Sequence, residues 1–155
     1  MDGYIADINL SFIDVPNKIS VIVYFTGCDI KCYGCQNEIL QDLYYGKKIN
    51  SDDLAHIINK FEMPSYCVFS GGDPFFQYEF LFDVINKLNK KICIYTGNEF
   101  EHLQNNFNNI LNNKNVKLIK CGKYDINNLS NDIENLVSKN QYFMKKNKFD
   151  IWKKI

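Results

Sequence analysis

Six cysteines occur in the 155 residues, and three of them fall in the single stretch VYFTGCDIKCYGCQNE (23–38). Cys28, Cys32 and Cys35 are separated by three and then two residues. A disulfide uses two cysteines, and a structural zinc site is closed by four ligands. Thiolates are soft donors, suited to zinc and to iron–sulfur clusters. A four-iron cubane ordinarily takes one cysteine on each iron. Three cysteines on one loop would leave one iron open to an added molecule, as catalytic metal sites are left open. Gly27 and Gly34 permit tight turns that aim N–H groups at sulfur. Zinc on Cys32 and Cys35 with two remote ligands is the alternative. Three unrelated buried thiols fit less well, because Asp29, Lys31 and Tyr33 make the loop polar.

A second group is Ser70, Gly71, Gly72 and Asp73, in SGGDP. Paired glycines let the backbone approach a ligand with no Cβ in the way, and Asp73 adds a charge. Alone, the motif is an ordinary turn. Thr96 and Gly97 offer a further polar segment, which a plain capped turn would also explain. Cys67 and Cys93 alternate with apolar neighbours and read as small core residues. Cys121 reads as core or rim. His56 and His102 fall in helical stretches and read as surface residues.

The elements that carry these residues alternate in type. KISVIVYF (18–25), SYCVFS (65–70), KICIYT (91–96) and VKLIKC (116–121) read as strands. Helical spacing marks SDDLAHIINKF, with Ser51 as N-cap and acids in the first turn. It also marks YEFLFDVINKLNK, EFEHLQNNFNNILNN and INNLSNDIENLVSK, the last through Ile126, Leu129, Ile133, Leu136 and Val137. NKFDIW reads as a last edge strand. The βαβα order predicts an α/β fold with a mostly parallel sheet and right-handed crossovers. A closed eight-stranded barrel takes roughly 250 residues. A chain of 155 residues therefore predicts an open partial (β/α) barrel, a single domain over 1–155. Ligands of parallel sheets bind beyond the C-terminal strand ends. TGCDIKCYGC, SGGDP, TGNE and CGKY each follow one of the four strands, which predicts one shared site.

Lysines, with no arginine, balance the acids to a formal net charge of zero. No broad basic field advertises nucleic acid. The apolar run ISVIVYF is too short to span a membrane. MDGYIADINLSF carries acids where a secretory leader has basic residues. The expectation is a cytoplasmic protein with reduced thiols.

The cysteine spacing, placed after a strand, resembles the loop of the radical S-adenosylmethionine (SAM) superfamily. FSGGDP is similar to its Gly-Gly-Glu-Pro-like motif, with Asp73 for the commoner Glu. Radical SAM loops commonly carry an aromatic before the third cysteine, where this chain has Gly34. With Gly34 and Asn37, GCDIKCYGCQN resembles the activating component of anaerobic (class III) ribonucleotide reductase, a family of about this length. VKLIKCGKYD resembles that family's late strand, and SKNQYF, with Gln141, its Ser-x-Asn-Gln tail. The chain departs from the family at IDVPNKI, where Asp-Gly-Pro-Gly-x-Arg is frequent, and at Cys121, where an acid is usual.

The resemblance implies a [4Fe-4S] cluster on Cys28, Cys32 and Cys35. It implies SAM contacts from Gly34, Gln36, Ser70, Gly71, Gly72, Asp73, Thr96 and Gly97. The reaction implied is reductive cleavage of SAM to methionine and a 5′-deoxyadenosyl radical, which takes hydrogen from a glycine of the reductase large subunit. An electron donor such as flavodoxin or ferredoxin is implied, with no acid–base side chain and no nucleic-acid or membrane partner. Aromatics in QDLYYGKK (41–48) and DPFFQYEF (73–80) would flank the opening, with helix core packing as their other explanation. Rival expectations are a radical SAM enzyme acting on a small molecule (deazapurine-synthase-like) and a non-catalytic iron–sulfur or zinc module.

Overall fold

The computed structural model describes residues 1–131 and 136–155. Its strands are β1 (Asp2–Ser11), β2 (Ser20–Phe25), β3 (Lys47–Asn50), β4 (Tyr66–Gly71), β5 (Lys91–Tyr95), β6 (Val116–Cys121), β7 (Tyr142–Lys146) and β8 (Trp152–Lys154). They form one sheet in the order β3-β1-β2-β4-β5-β6-β7-β8. The strands expected from sequence, β2, β4, β5 and β6, make the parallel centre. β1 and β3 extend it antiparallel on one side, β7 and β8 on the other. The sheet is open and mixed, where the sequence predicts a mostly parallel one. β1, β3 and β7 escaped the reading because they are half-exposed and polar, while the last edge strand expected at NKFDIW forms a little later, at Trp152–Lys154. β1 reads DGYIADINLS, with an irregular burial pattern, and lacks the continuous Ile/Val run of a strand buried on both faces.

The helices α1 (Ser51–Lys60), α2 (Tyr78–Ile85), α3 (Phe100–Asn106) and α4 (Asn108–Leu111) all pack on one face. Leu54, Ile58, Leu81, Ile85, Leu103 and Ile110 meet Val23, Phe25, Phe69, Ile94 and Ile119 there, in one core. The other face carries Ile22, Val68, Cys93 and Leu118, covered by Val15 from the β1–β2 connection and Leu136 from the β6–β7 connection. Cys67, Cys93 and Cys121 are buried, as expected of core thiols. His56 and His102 are exposed on their helices.

Three local expectations change. Asn50, not Ser51, caps α1, its side chain accepting the Asp52 N–H. Ser51 is buried instead, and its hydroxyl donates to Asp83. The stretch EFEHLQNNFNNILNN divides at Phe107, whose φ of −133° leaves the helix. Its ring packs 5.0 Å from Phe75 and 4.9 Å from Tyr78. The helix expected over INNLSNDIENLVSK is not found in the described residues. Ile133 lies outside them, and the flanks form turns and a bridge between Leu129 and Ser138. No helix among the described residues is long and apolar enough to cross a membrane.

Candidate functional site

The four parallel strands end side by side, so the segments after them share one cleft. Gly27 donates to the Leu40 carbonyl at 2.8 Å and Cys28 to that of Gln41 at 3.2 Å, closing the cysteine loop at its root. Gln77 braces the root from behind, with its side-chain amide donating to the Tyr4 and Thr26 carbonyls at 2.8 Å each. Within the loop, the Cys35 N–H meets the Cys32 carbonyl at 3.2 Å.

The glycine motif is sewn directly onto that root. Gly72 donates to the Phe25 carbonyl and Asp73 to the Gly27 carbonyl, both at 2.9 Å. A Cβ on Gly71 would stand 2.1 Å from the Phe25 oxygen, and φ there is +113°. A Cβ on Gly72 would stand 2.5 Å from the Gly27 oxygen. The paired glycines therefore bring two backbones together, a role beyond the ligand approach expected from sequence. The Asn37 side chain adds a tie across the cleft, donating to the Gly71 carbonyl at 3.3 Å.

Asp73 is almost wholly buried, 2% exposed. One oxygen accepts the Phe75 N–H at 3.0 Å; the other accepts the Thr96 hydroxyl at 2.8 Å and the Gly97 N–H at 2.9 Å. It thus locks the end of β5 to the end of β4. Burial pushes its carboxyl up to about 6, against the pull of those three bonds.

The cleft is open to solvent, with a volume of about 130 Å³. Cys28, Cys32, Cys35, Gln36, Ser70, Gly71, Gly72, Asp73, Thr96 and Gly97 all line it. Gly34 does not; it turns away from the cleft beneath Ile126.

Further residues complete the walls. Tyr95 and Lys120 stand side by side across β5 and β6 and line the cleft. Lys120 is 7% exposed, with its ammonium 3.9 Å from the centre of the Tyr95 ring. Burial brings the Lys120 ammonium down to about 8, while nearby Cys93 and Asp14 pull the other way. Tyr124 and Gln141, from the connection after β6, form the far side.

The three thiols of the loop are half-buried and free. Burial raises the Cys28 thiol, and the N–H groups of Lys31 and Ile30, turned onto its sulfur, lower it. Such donors favour a charged sulfur. A mononuclear zinc ion would need thiolates about 3.8 Å apart, the edge of a tetrahedron with 2.3 Å bonds. No three His, Cys, Asp or Glu side chains are gathered around one ion among the described residues. Three thiols line one cleft wall, with backbone N–H donors on the Cys28 sulfur, and such soft donors suit zinc or an iron–sulfur group.

A family model described as a 4Fe-4S single cluster domain matches residues 18–144. The chain belongs to that family. The match runs from the start of β2 into β7, so this 4Fe-4S domain includes every wall of the cleft. Pyruvate formate-lyase-activating enzyme of Clostridium pasteurianum is 30% identical over 95 residues. That match covers 57% of this chain and 39% of the relative, so it spans well under half of the relative's length.

Proposed function

We propose that this 4Fe-4S domain is a radical SAM activase that installs a glycyl radical on a partner protein. One observation carries the reading: the thiols of the cysteine loop and the Gly71–Asp73 strand end line one cleft. Cys28, Cys32 and Cys35 would hold a [4Fe-4S] cluster, beside which SAM would bind. When bound, the cluster supplies the electron that cleaves the SAM sulfonium, and SAM supplies the hydrogen-abstracting group.

The chain's own residues bind and orient. Carbonyls at the end of β4, with Asp73, would face the SAM ammonium. A carboxylate has room for about four hydrogen bonds, and Asp73 uses three within the fold. Lys120 offers the SAM carboxylate a cation from a low-dielectric wall, where attraction is stronger than in water. Gln36, Thr96 and Gly97 complete the pocket. No side chain has to move a proton, so the exposed histidines are no obstacle. The open sheet leaves the cleft accessible to a protein loop, and Tyr44 and Phe76 are exposed aromatics that such a loop could meet.

The relative's name favours a glycyl-radical enzyme as the partner class. Gly34 and Asn37 favour the large subunit of anaerobic ribonucleotide reductase within it. A flavodoxin or ferredoxin in a reducing cytoplasm would supply the electron.

The test is anaerobic reconstitution with iron and sulfide, reduction, and addition of SAM. Release of 5′-deoxyadenosine, lost in Cys28→Ala, Cys32→Ala and Cys35→Ala but kept in Cys67→Ala, is the expected result. No release from an intact cluster rules the enzyme out. The glycyl-radical signal in electron paramagnetic resonance, sought on the reductase and on pyruvate formate-lyase in parallel, identifies the partner.

A further inference from the structure

The connection between β6 and β7 is not needed to join the strands closely, yet its described residues reach across to the cysteine loop. A Cβ on Gly34 would stand 2.6 Å from Ile126 Cδ1 and 3.4 Å from Ile126 Cβ. The Gly34 φ of +67° turns the loop so that its α-carbon faces that side chain. An aromatic at this position, between Cys32 and Cys35, would collide with Ile126.

The connection is built to hold Ile126 there. Gln141 accepts the N–H groups of Val137 and Ser138 at 3.0 and 3.1 Å and donates to the Gly122 carbonyl at 3.2 Å. Asn140 donates to the Lys123 carbonyl at 2.8 Å. The Ser138 hydroxyl accepts the Asp125 N–H at 3.2 Å. These bonds pinch the neck of the connection on both sides of the turn that presents Ile126.

We propose that Ile126 is a positioning residue: it clamps the cysteine loop at Gly34 and so controls how readily the group held by Cys32 and Cys35 is released. This rests on the cluster reading above and extends it to a residue that touches no ligand. Loss of one apolar contact of this kind shifts a local opening equilibrium by about fivefold.

The experiment compares the full chain, Ile126→Ala, Gly34→Ala and the double variant, each reconstituted anaerobically. The readout is the rate at which a ferrous chelator bleaches the cluster absorbance, with thermal melting of the metal-free proteins alongside. Ile126→Ala is expected to lose iron about fivefold faster, with melting little changed because Ile126 is 39% exposed. In the Gly34→Ala background the new methyl competes for the same space. There Ile126→Ala is expected to speed release much less, or to slow it, a coupling that independent sites do not show.

Unchanged release in Ile126→Ala, or effects that simply multiply, overturns the proposal. A wild-type chain that holds no cluster overturns both this and the proposed function. SAM cleavage with Ile126-independent release defeats the clamp alone, and Ile126-dependent release without SAM cleavage defeats the activase alone.

Discussion

At Gly71 the room for a side chain is already taken by the Phe25 carbonyl. Gly71→Ala is therefore expected to disrupt the seam itself, with a loss of about 3 kcal/mol or more from overpacking and backbone strain. Urea unfolding of the metal-free chain would measure it; a wild-type midpoint would contradict the seam. Asp73 makes a prediction of opposite character. Its carboxyl is raised from the usual 3.8 to about 6, chiefly by burial. The stability linked to that shift is present below pH about 4 and lost as pH rises through about 6. Asp73→Asn carries no such charge. Relative to wild type, it should gain up to about 3 kcal/mol of unfolding free energy between pH 4 and 7. Unfolding titrations at those two pH values check the sign, and a constant difference would show that Asp73 titrates normally. The cysteines and SGGDP were legible in the sequence because their spacing is chemical. Lys120 and Tyr95 were not, because a strand's alternation says which face a residue takes but not what lies over it.

Among the elements, the β6–β7 connection departs most from its sequence pattern. Ile126 and Leu129 fit a helical period, yet the described residues bend into turns and a bridge. Tertiary contacts decided the outcome: Ile126 is drawn to Gly34 and the neck is bonded through Gln141. Gln141→Ala removes those three side-chain bonds, at a cost of about 2–3 kcal/mol. The variant should melt lower and bleach faster with chelator, and Gln141→Glu, which keeps the acceptor, should recover part of both. Melting and release of Gln141→Ala equal to wild type would mean that the neck does not depend on Gln141. The central strands were legible for the converse reason. They are buried on both faces, so their Ile/Val/Phe runs have only one use.

Across the whole molecule, stability is distributed from the centre outward. β2, β4, β5 and β6 are sandwiched between the helices and the second apolar cluster. The edges β3 and β8 are short and carry Lys47, Lys48, Lys153 and Lys154. Lysine on short edge strands discourages pairing with other chains. Amide hydrogen exchange is therefore expected to be slowest in the central strands and fastest in β3 and β8. Uniform protection across the sheet would contradict this gradient.

The seam between Phe25–Gly27 and Gly72–Asp73 also has a consequence in time. The cysteine loop leaves the ribosome about 40 residues ahead of Asp73, an interval of about 2–8 s at ordinary synthesis rates. Through that interval the loop lacks the strand end that fixes its root. Its thiols are on offer before there is a shaped place to hold anything. Stable uptake of iron is therefore expected only after the β4 end has emerged, and a nascent chain stalled before Gly71 should take up no stable iron. The same chain stalled after β7 has emerged should take it up.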